Sequence, residues 1–200
     1  MSIVVALTVF FAILPAELPD KTFVATLVLS TRFAPVPVWL GAAAAFVVQT
    51  AVAVAAGGAL SLLPKRPVHA VAAVLFAIGA YVVLRAGDEQ KEEEQEVTAE
   101  LAGMPAAPSF RRAASTSFLI LFIAEWGDLS QLLTAAFAAN YRDVVAVAVG
   151  AIASLWLVAG LGVVGGRALL RVVPVLWVRR VAAAVFATVA VVTAVETVRG

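Results

Sequence analysis

Cysteine is absent from the 200 residues, and histidine occurs once, at His69. That excludes disulfides, thiolate metal sites, cysteine nucleophiles and an imidazole-rich metal cluster. Charge is scarce too. Asp, Glu, Lys and Arg make up 14% of the chain, and the formal net charge is +1. A typical soluble domain carries about a quarter charged residues. With no basic patch interleaved with aromatics, nucleic acid is not a partner. What fills the chain is apolar: 63% of it is hydrophobic, and mean hydropathy is +1.03. A domain of this size buries only about 70% of the surface its unfolded chain exposes. A soluble enzyme is therefore excluded, and an integral membrane protein remains.

A membrane-crossing helix needs about 20 mostly apolar residues. Six stretches qualify, 3–30, 38–63, 68–84, 113–139, 144–170 and 175–198. Turn and charge signals separate them: Arg32 to Pro37, Pro64-Lys65-Arg66-Pro67, Asn140 to Asp143, and Arg171 to Arg180 around Pro174. The runs are continuous in Ala, Val and Leu and lack the alternation of a membrane β-barrel. The expected fold is all-α, with six transmembrane helices and the lipid bilayer as its main partner. The first stretch has no Lys or Arg ahead of it and carries Glu17 and Asp20 inside, so it reads as a mature helix rather than a cleaved signal.

Basic residues set orientation. Arg32, Arg85, Lys91, Arg111, Arg112, Arg167, Arg171, Arg179 and Arg180 fall on one side, against Lys65, Arg66, Arg142 and Arg199 on the other. This predicts both termini outside and the middle loop in the cytoplasm, in the inner membrane of a bacterium whose Arg-over-Lys, Ala- and Val-rich usage suits a GC-rich genome. That loop, 87–112, is the one hydrophilic stretch. It opens with Asp88-Glu89-Gln90-Lys91-Glu92-Glu93-Glu94-Gln95-Glu96 and reads as a solvated linker or a collector of cations.

Sliding the chain against itself by 108 positions shows an internal repeat. Glu17 falls on Glu125, Asp20 on Asp128, Thr22 on Ser130, Thr26 on Thr134, and Gly57-Gly58 on Gly165-Gly166. A two-residue insertion then aligns Phe76-Ala77 with Phe186-Ala187. The organisation expected is a three-helix repeat over 1–86, the acidic loop, and a second three-helix repeat over 113–200. An odd number of helices per repeat makes the second copy enter from the opposite face, as in many secondary transporters, whose sites lie at mid-membrane between the repeats.

Only Glu17, Asp20, Lys21, Glu125 and Asp128 carry charge deep inside the expected helices. Each such residue costs about 2.5–3.5 kcal/mol at a helix centre, and its presence is by default a statement about function. Four of the five form two copies of Glu-x-x-Asp, and i, i+3 spacing places both carboxylates of a copy on one helix face. Pro15, Pro19 and Gly127 predict broken helices at these points, with freed carbonyls beside the carboxylates. Thr22, Ser130, Gln131, Thr26 and Thr134 add oxygens, and Gln49, Thr50 and Ser154 are expected to flank the site. An all-oxygen donor set selects hard divalent cations such as Ca²⁺, Mg²⁺ or Mn²⁺. Four negative charges cannot stay together in low dielectric, so protons are expected to replace the cation when it leaves. No prosthetic group is implied. The cargo is the divalent ion, and a homo-oligomer is compatible with the sequence.

Glu17-Leu18-Pro19-Asp20-Lys21-Thr22 and Glu125-Trp126-Gly127-Asp128-Leu129-Ser130 resemble the paired E-x-G-D-[KR]-[TS] motifs of a membrane family of manganese and calcium cation–proton exchangers, with Golgi, plastid and bacterial members. The resemblance implies an exporter of Mn²⁺, or of Ca²⁺, in exchange for protons, with Glu17, Asp20, Glu125 and Asp128 as ligands and Thr22, Ser130 and Gln131 in support. Pro19 replaces the usual glycine, and Leu129 the second basic residue, leaving Lys21 as the lone cation of the motifs. Two rival readings stand beside this one. An exporter of amino acids on a similar plan would need groups for both an amino and a carboxyl function, whereas this centre is overwhelmingly acidic. An intramembrane aspartyl protease using Asp20 and Asp128 would not require the glutamates. Of the remaining features, Gly162-x-x-x-Gly166 and Gly57-Gly58 read as close helix packing, Trp39, Trp156 and Trp177 as interface or packing residues, Trp126 as a wall of the site, and His69 as a loop residue.

Overall fold

The computed structural model describes residues 2–18, 21–85, 109–141, 143–172 and 175–199, with 95, 98 and 99 between them. Pro19, Asp20, the side chain of Lys21 and the acidic run of the middle loop apart from Gln95 lie outside the described residues. The described chain forms α1 Ile3–Glu17, α2 Lys21–Arg32, α3 Pro35–Leu60, α4 Lys65–Arg85, α5 Phe110–Ala124, α6 Leu129–Tyr141, α7 Val144–Val172 and α8 Val175–Arg199. Among the described residues there is no strand.

Four helices, α3, α4, α7 and α8, are each long and apolar enough to cross a membrane. The first and fourth expected spans are each broken into two helices: α1 and α2 meet at 65°, α5 and α6 at 73°. Counting each bent pair as one span gives up to six crossings in an all-α, multi-pass protein. Several starts fall three residues ahead of the sequence expectation. α3, for instance, begins at Pro35 because proline, with its fixed φ and no N–H to lose, suits the first helical turn. His69 lies within α4 rather than in a loop, since Pro67 is likewise tolerated near that helix's start.

The second break explains itself. Gly127 has φ +75°, a left-handed conformation that glycine accepts without the Cβ penalty. Its N–H donates to Gln131 Oε1 at 2.8 Å. Asp128 then caps α6: its Oδ1 accepts from the Gln131 N–H at 2.8 Å and its Oδ2 from the Ser130 hydroxyl at 3.0 Å. In the first copy, Pro15 sits inside α1 and offers no N–H to the carbonyl of Phe11, and the helix ends two residues later at Glu17.

α3 lies against α5, α6 and α7, while α7 lies against α1, α2 and α3, and α4 pairs with α8. At Gly41 of α3, a Cβ would collide with the Ala114 carbonyl and come within 2.9 Å of Ser117 Cβ. At Gly150 of α7, it would collide with the Ala6 carbonyl and come within 3.0 Å of Val9 Cβ. Ala6 and Val9 are the residues that align with Ala114 and Ser117 in the repeat. The match is incomplete, for α4 packs on α6 whereas α8 packs on α1. Trp39 and Trp156 join α3 to α7 reciprocally: Trp39 Nε1 donates to the Trp156 carbonyl at 3.1 Å, and Trp156 Nε1 to that of Ala43 at 3.2 Å.

Asp143, between α6 and α7, caps α7 by accepting from the Ala146 N–H at 3.1 Å, and its other oxygen accepts from the Ser2 N–H at 2.7 Å. These backbone donors hold its carboxyl below the usual carboxylate range. A depressed folded-state value contributes stability that is complete above the unfolded value and is lost as pH falls through the folded one. Asp143→Ala therefore lowers thermal stability at neutral pH and removes that acid-side loss. Asp143→Asn keeps the cap, so it removes the pH dependence with a smaller drop. Melting curves followed by circular dichroism between neutral and acidic pH separate the two effects.

Candidate metal centre

The two helix breaks bring carboxylates together. Glu17 ends α1 and Glu125 caps the C-terminus of α5, and both side chains are buried, at 1% and 2% exposure. One carboxylate oxygen from each, with one from the half-buried Asp128, lies within 4.8 Å of the other two. Some point lies within about 2.8 Å of all three oxygens, so an inward shift of a few tenths of an ångström reaches the 2.3–2.6 Å of calcium–oxygen bonds. The field favours a cation as well, because the C-terminal ends of α1 and α5 carry partial negative charge. Two half-helices ending in carboxylates is a known way to hold a cation within a membrane.

Hydroxyls and amides surround these oxygens. Thr22 donates to Glu17 Oε2 at 2.8 Å, holding the carboxylate across the α1–α2 break. The second copy borders a small cleft of about 10 Å³, room for about one water, lined by Phe46, Gln49, Thr50 and Ala53 of α3, Leu155 of α7, and Glu125, Asp128, Ser130, Gln131 and Thr134. Gln49 Nε2 donates to the Phe122 carbonyl at 3.0 Å, which fixes the amide beside the break. Gln131, through its side-chain oxygen, is committed to Gly127, and its Nε2 has no hydrogen-bond partner among the described residues.

The other expected residues are placed less directly. Thr26 and Thr134 each donate to the carbonyl four residues back, Thr22 and Ser130, at 2.8 and 2.7 Å. Thr134 also borders the cleft, whereas Thr26 is packed beneath Gly162. Ser154 is fully buried, its hydroxyl has no partner among the described residues, and it does not border the cleft. Asp20 lies outside the described residues, as does the side chain of Lys21. Trp126, read as a wall of the site, is instead 56% exposed and packs on Phe122 with ring centroids 5.0 Å apart. The turn at Gly127 carries the neighbouring indole outward. Phe46, Ala53 and Leu155 were not singled out from the sequence, since apolar residues carry no chemical signal. The first two were within reach: 46, 49, 50 and 53 share one face of a helix, and Gln49 marks it.

Comparison with known proteins identifies the family. The sequence matches the family described as "Divalent cation/proton antiporter GDT1" over residues 5–91 and 113–200. It is 32% identical over 176 residues to GDT1-like protein 3 of Arabidopsis thaliana, covering 80% of this chain and 60% of that protein. It is 32% identical over 182 residues to Protein PAM71, chloroplastic, of Arabidopsis thaliana, covering 80% and 48%. With GDT1-like protein sll0615 of Synechocystis sp., identity is 28% over 161 residues, covering 76% and 78%. The chain spans about 60% of the length of the first plant relatives it matches. No solved structure matches it. Matched along both halves on either side of the middle loop, the chain belongs to the GDT1 family of divalent cation/proton antiporters, which are transporters and not enzymes.

Proposed function

We propose that this protein exports a divalent cation, Mn²⁺ first and Ca²⁺ as the alternative, in exchange for protons. Glu17, Asp20, Glu125 and Asp128 are the proposed ligands, supported by Thr22, Ser130, Gln131 and Gln49. The observation that carries the reading is the convergence of Glu17, Glu125 and Asp128, from two separate helix breaks, to within 4.8 Å. Such a cluster of negative charge needs either a cation or protons, and alternation between the two is the requirement for antiport. The site is overwhelmingly acidic, whereas an amino acid needs groups for both its amino and its carboxyl function, which disfavours an exporter of amino acids or other small solutes. The aspartyl protease reading falls with the family assignment.

The matched packing of α3 on α5 and of α7 on α1 supports two related halves, 1–86 and 113–200, proposed to be inverted in the membrane. The distribution of Lys and Arg supports an inner-membrane protein with both termini outside and the acidic loop inside. The test is uptake of Mn²⁺ and Ca²⁺, measured separately, into proteoliposomes with and without an imposed pH difference. Each pH unit supplies about 1.4 kcal/mol per proton exchanged, about tenfold in the cation gradient it sustains. Uptake indifferent to the pH difference overturns antiport. Equal rates with protein-free liposomes overturn transport altogether.

A further inference from the structure

The described side chains around the two halves of the proposed site differ in polarity, although Glu17 and Glu125 are equally buried. In the second half, Gln131 of α6 and Gln49 of α3 both line the cleft, and Asp128 and Gln131 are partly exposed. The repeat offset of 108 places Phe23 of α2 at the position of Gln131. Between α3 and α7 the matched packing of Gly41 and Gly150 sets an offset of 109, one residue beyond the 108 that aligns Gly57-Gly58 with Gly165-Gly166, and at that register Val158 takes the position of Gln49. The same offset pairs Ala53, beside the cleft, with Gly162, whose absent Cβ lets α7 close onto Thr26 and the Phe23 carbonyl. Where one half has two amides, the other has an aromatic ring and a valine.

Those two residues do not merge into the main core. Phe23, Leu27 and Val158 form a separate buried cluster, at 1%, 5% and 0% exposure, with Leu14, Leu18 and Leu161 packed around it. Thr22, which precedes Phe23, donates to Glu17. The cluster is thus one residue from the carboxylate site, in the half opposite the cleft.

The geometry points to the Phe23–Leu27–Val158 cluster as a hydrophobic gate that closes the Glu17 half of the exchanger, while the Gln49–Gln131 half keeps a small polar cleft through which water can enter. The inference rests on the exchanger reading for its purpose, but the difference in lining stands on packing alone. A constriction of apolar side chains excludes water and the ions that need it. Exchange then requires the α2–α7 contact to part when the α3–α6 contact closes. Among the described residues, the second half sets two amides beside its cleft where the first sets Phe23 and Val158. Sealing is therefore tighter on the Glu17 side, and proton leak past an unoccupied site is blocked there.

Because the chain has no native cysteine, single cysteines report water access without background. Phe23→Cys, Val158→Cys and Gln131→Cys are made separately in the full chain, purified in detergent, and treated with a charged maleimide. Gel filtration and a thermal melt check folding. Gln131→Cys is expected to react at least about tenfold faster than the other two, which corresponds to a water-excluded state favoured by about 1.4 kcal/mol. Equal rates overturn the gate. In proteoliposomes without divalent ions, the Phe23→Gln/Val158→Gln double variant is expected to dissipate an imposed pH difference several times faster than wild type. A folded double variant as tight as wild type also overturns it. If wild-type protein carries no cation in exchange for protons yet the labelling asymmetry persists, the exchanger reading fails and the gate stands.

Discussion

Glu17→Gln and Glu125→Gln each abolish cation exchange while leaving the protein folded. Glutamine has the shape of a protonated glutamate but releases no proton when a cation arrives, so the variant is fixed in the proton-loaded form. Removing one buried charged partner costs about 2–5 kcal/mol of binding, about 30-fold or more in affinity. In Glu17→Gln the fold survives because the introduced amide oxygen still accepts from Thr22, and in both variants a neutral side chain relieves repulsion among carboxylates within 4.8 Å. A cation at 100 times its Kd stabilises the native protein by about 2.7 kcal/mol. The variants lose most of that stabilisation, and their cation-free melting temperature is equal to or above that of wild type. Asp128→Asn separates ligand from cap. Asparagine caps α6 nearly as well as aspartate, so exchange falls while stability holds. Melting curves with and without Mn²⁺, run beside vesicle uptake, check all three variants. Undiminished uptake in either glutamate variant removes that residue from the site.

The membrane class was legible from the near absence of charge, and the centre from the few charges left inside apolar runs. Glu17, Glu125 and Asp128 stood out because nothing else in those helices competes for water. The breaks were legible as well, from Pro15 and Gly127, but their angles were not. A bend of 73° depends on how Asp128 and Gln131 satisfy the turn, and only coordinates give that. The same holds for Trp126, whose direction follows from the left-handed residue beside it. The apolar lining was harder to see. Phe46 and Leu155 differ from dozens of membrane-facing residues only in which way the helix turns them, and a helix that is hydrophobic all round gives no face away. Even the gate was hidden, because Phe23 and Val158 look ordinary until they are set against Gln131 and Gln49.

Gly41→Ala and Gly150→Ala are expected to be strongly damaging single-methyl additions, as is Gly57→Ala, whose Cβ would collide with the Ala135 carbonyl. Alanine is the better helix former by about 0.8–1.0 kcal/mol, so a loss of stability must come from tertiary contact. At Gly41 and Gly150 that contact is a backbone carbonyl, of Ala114 or of Ala6, which no side-chain rotation moves aside. The helices must separate, and overpacking of this kind costs about 1–3 kcal/mol. Gly58 supplies the control. Its Cβ would meet only Val144 Cγ1 at 3.6 Å, an ordinary contact, so Gly58→Ala keeps the gain in helix propensity and melts at or above wild type. Function separates Gly41 from Gly150 further. Gly41 seats on α5 the same helix that presents Gln49 and Thr50 to the cleft, whereas Gly150 seats α7, which carries Val158, on α1. Gly41→Ala therefore weakens the cation-induced rise in melting temperature as well as the fold. Gly150→Ala loosens the apolar half and speeds the decay of a pH difference in vesicles. If the two substitutions prove interchangeable in both assays, α3 and α7 do not divide the work of the two halves in this way.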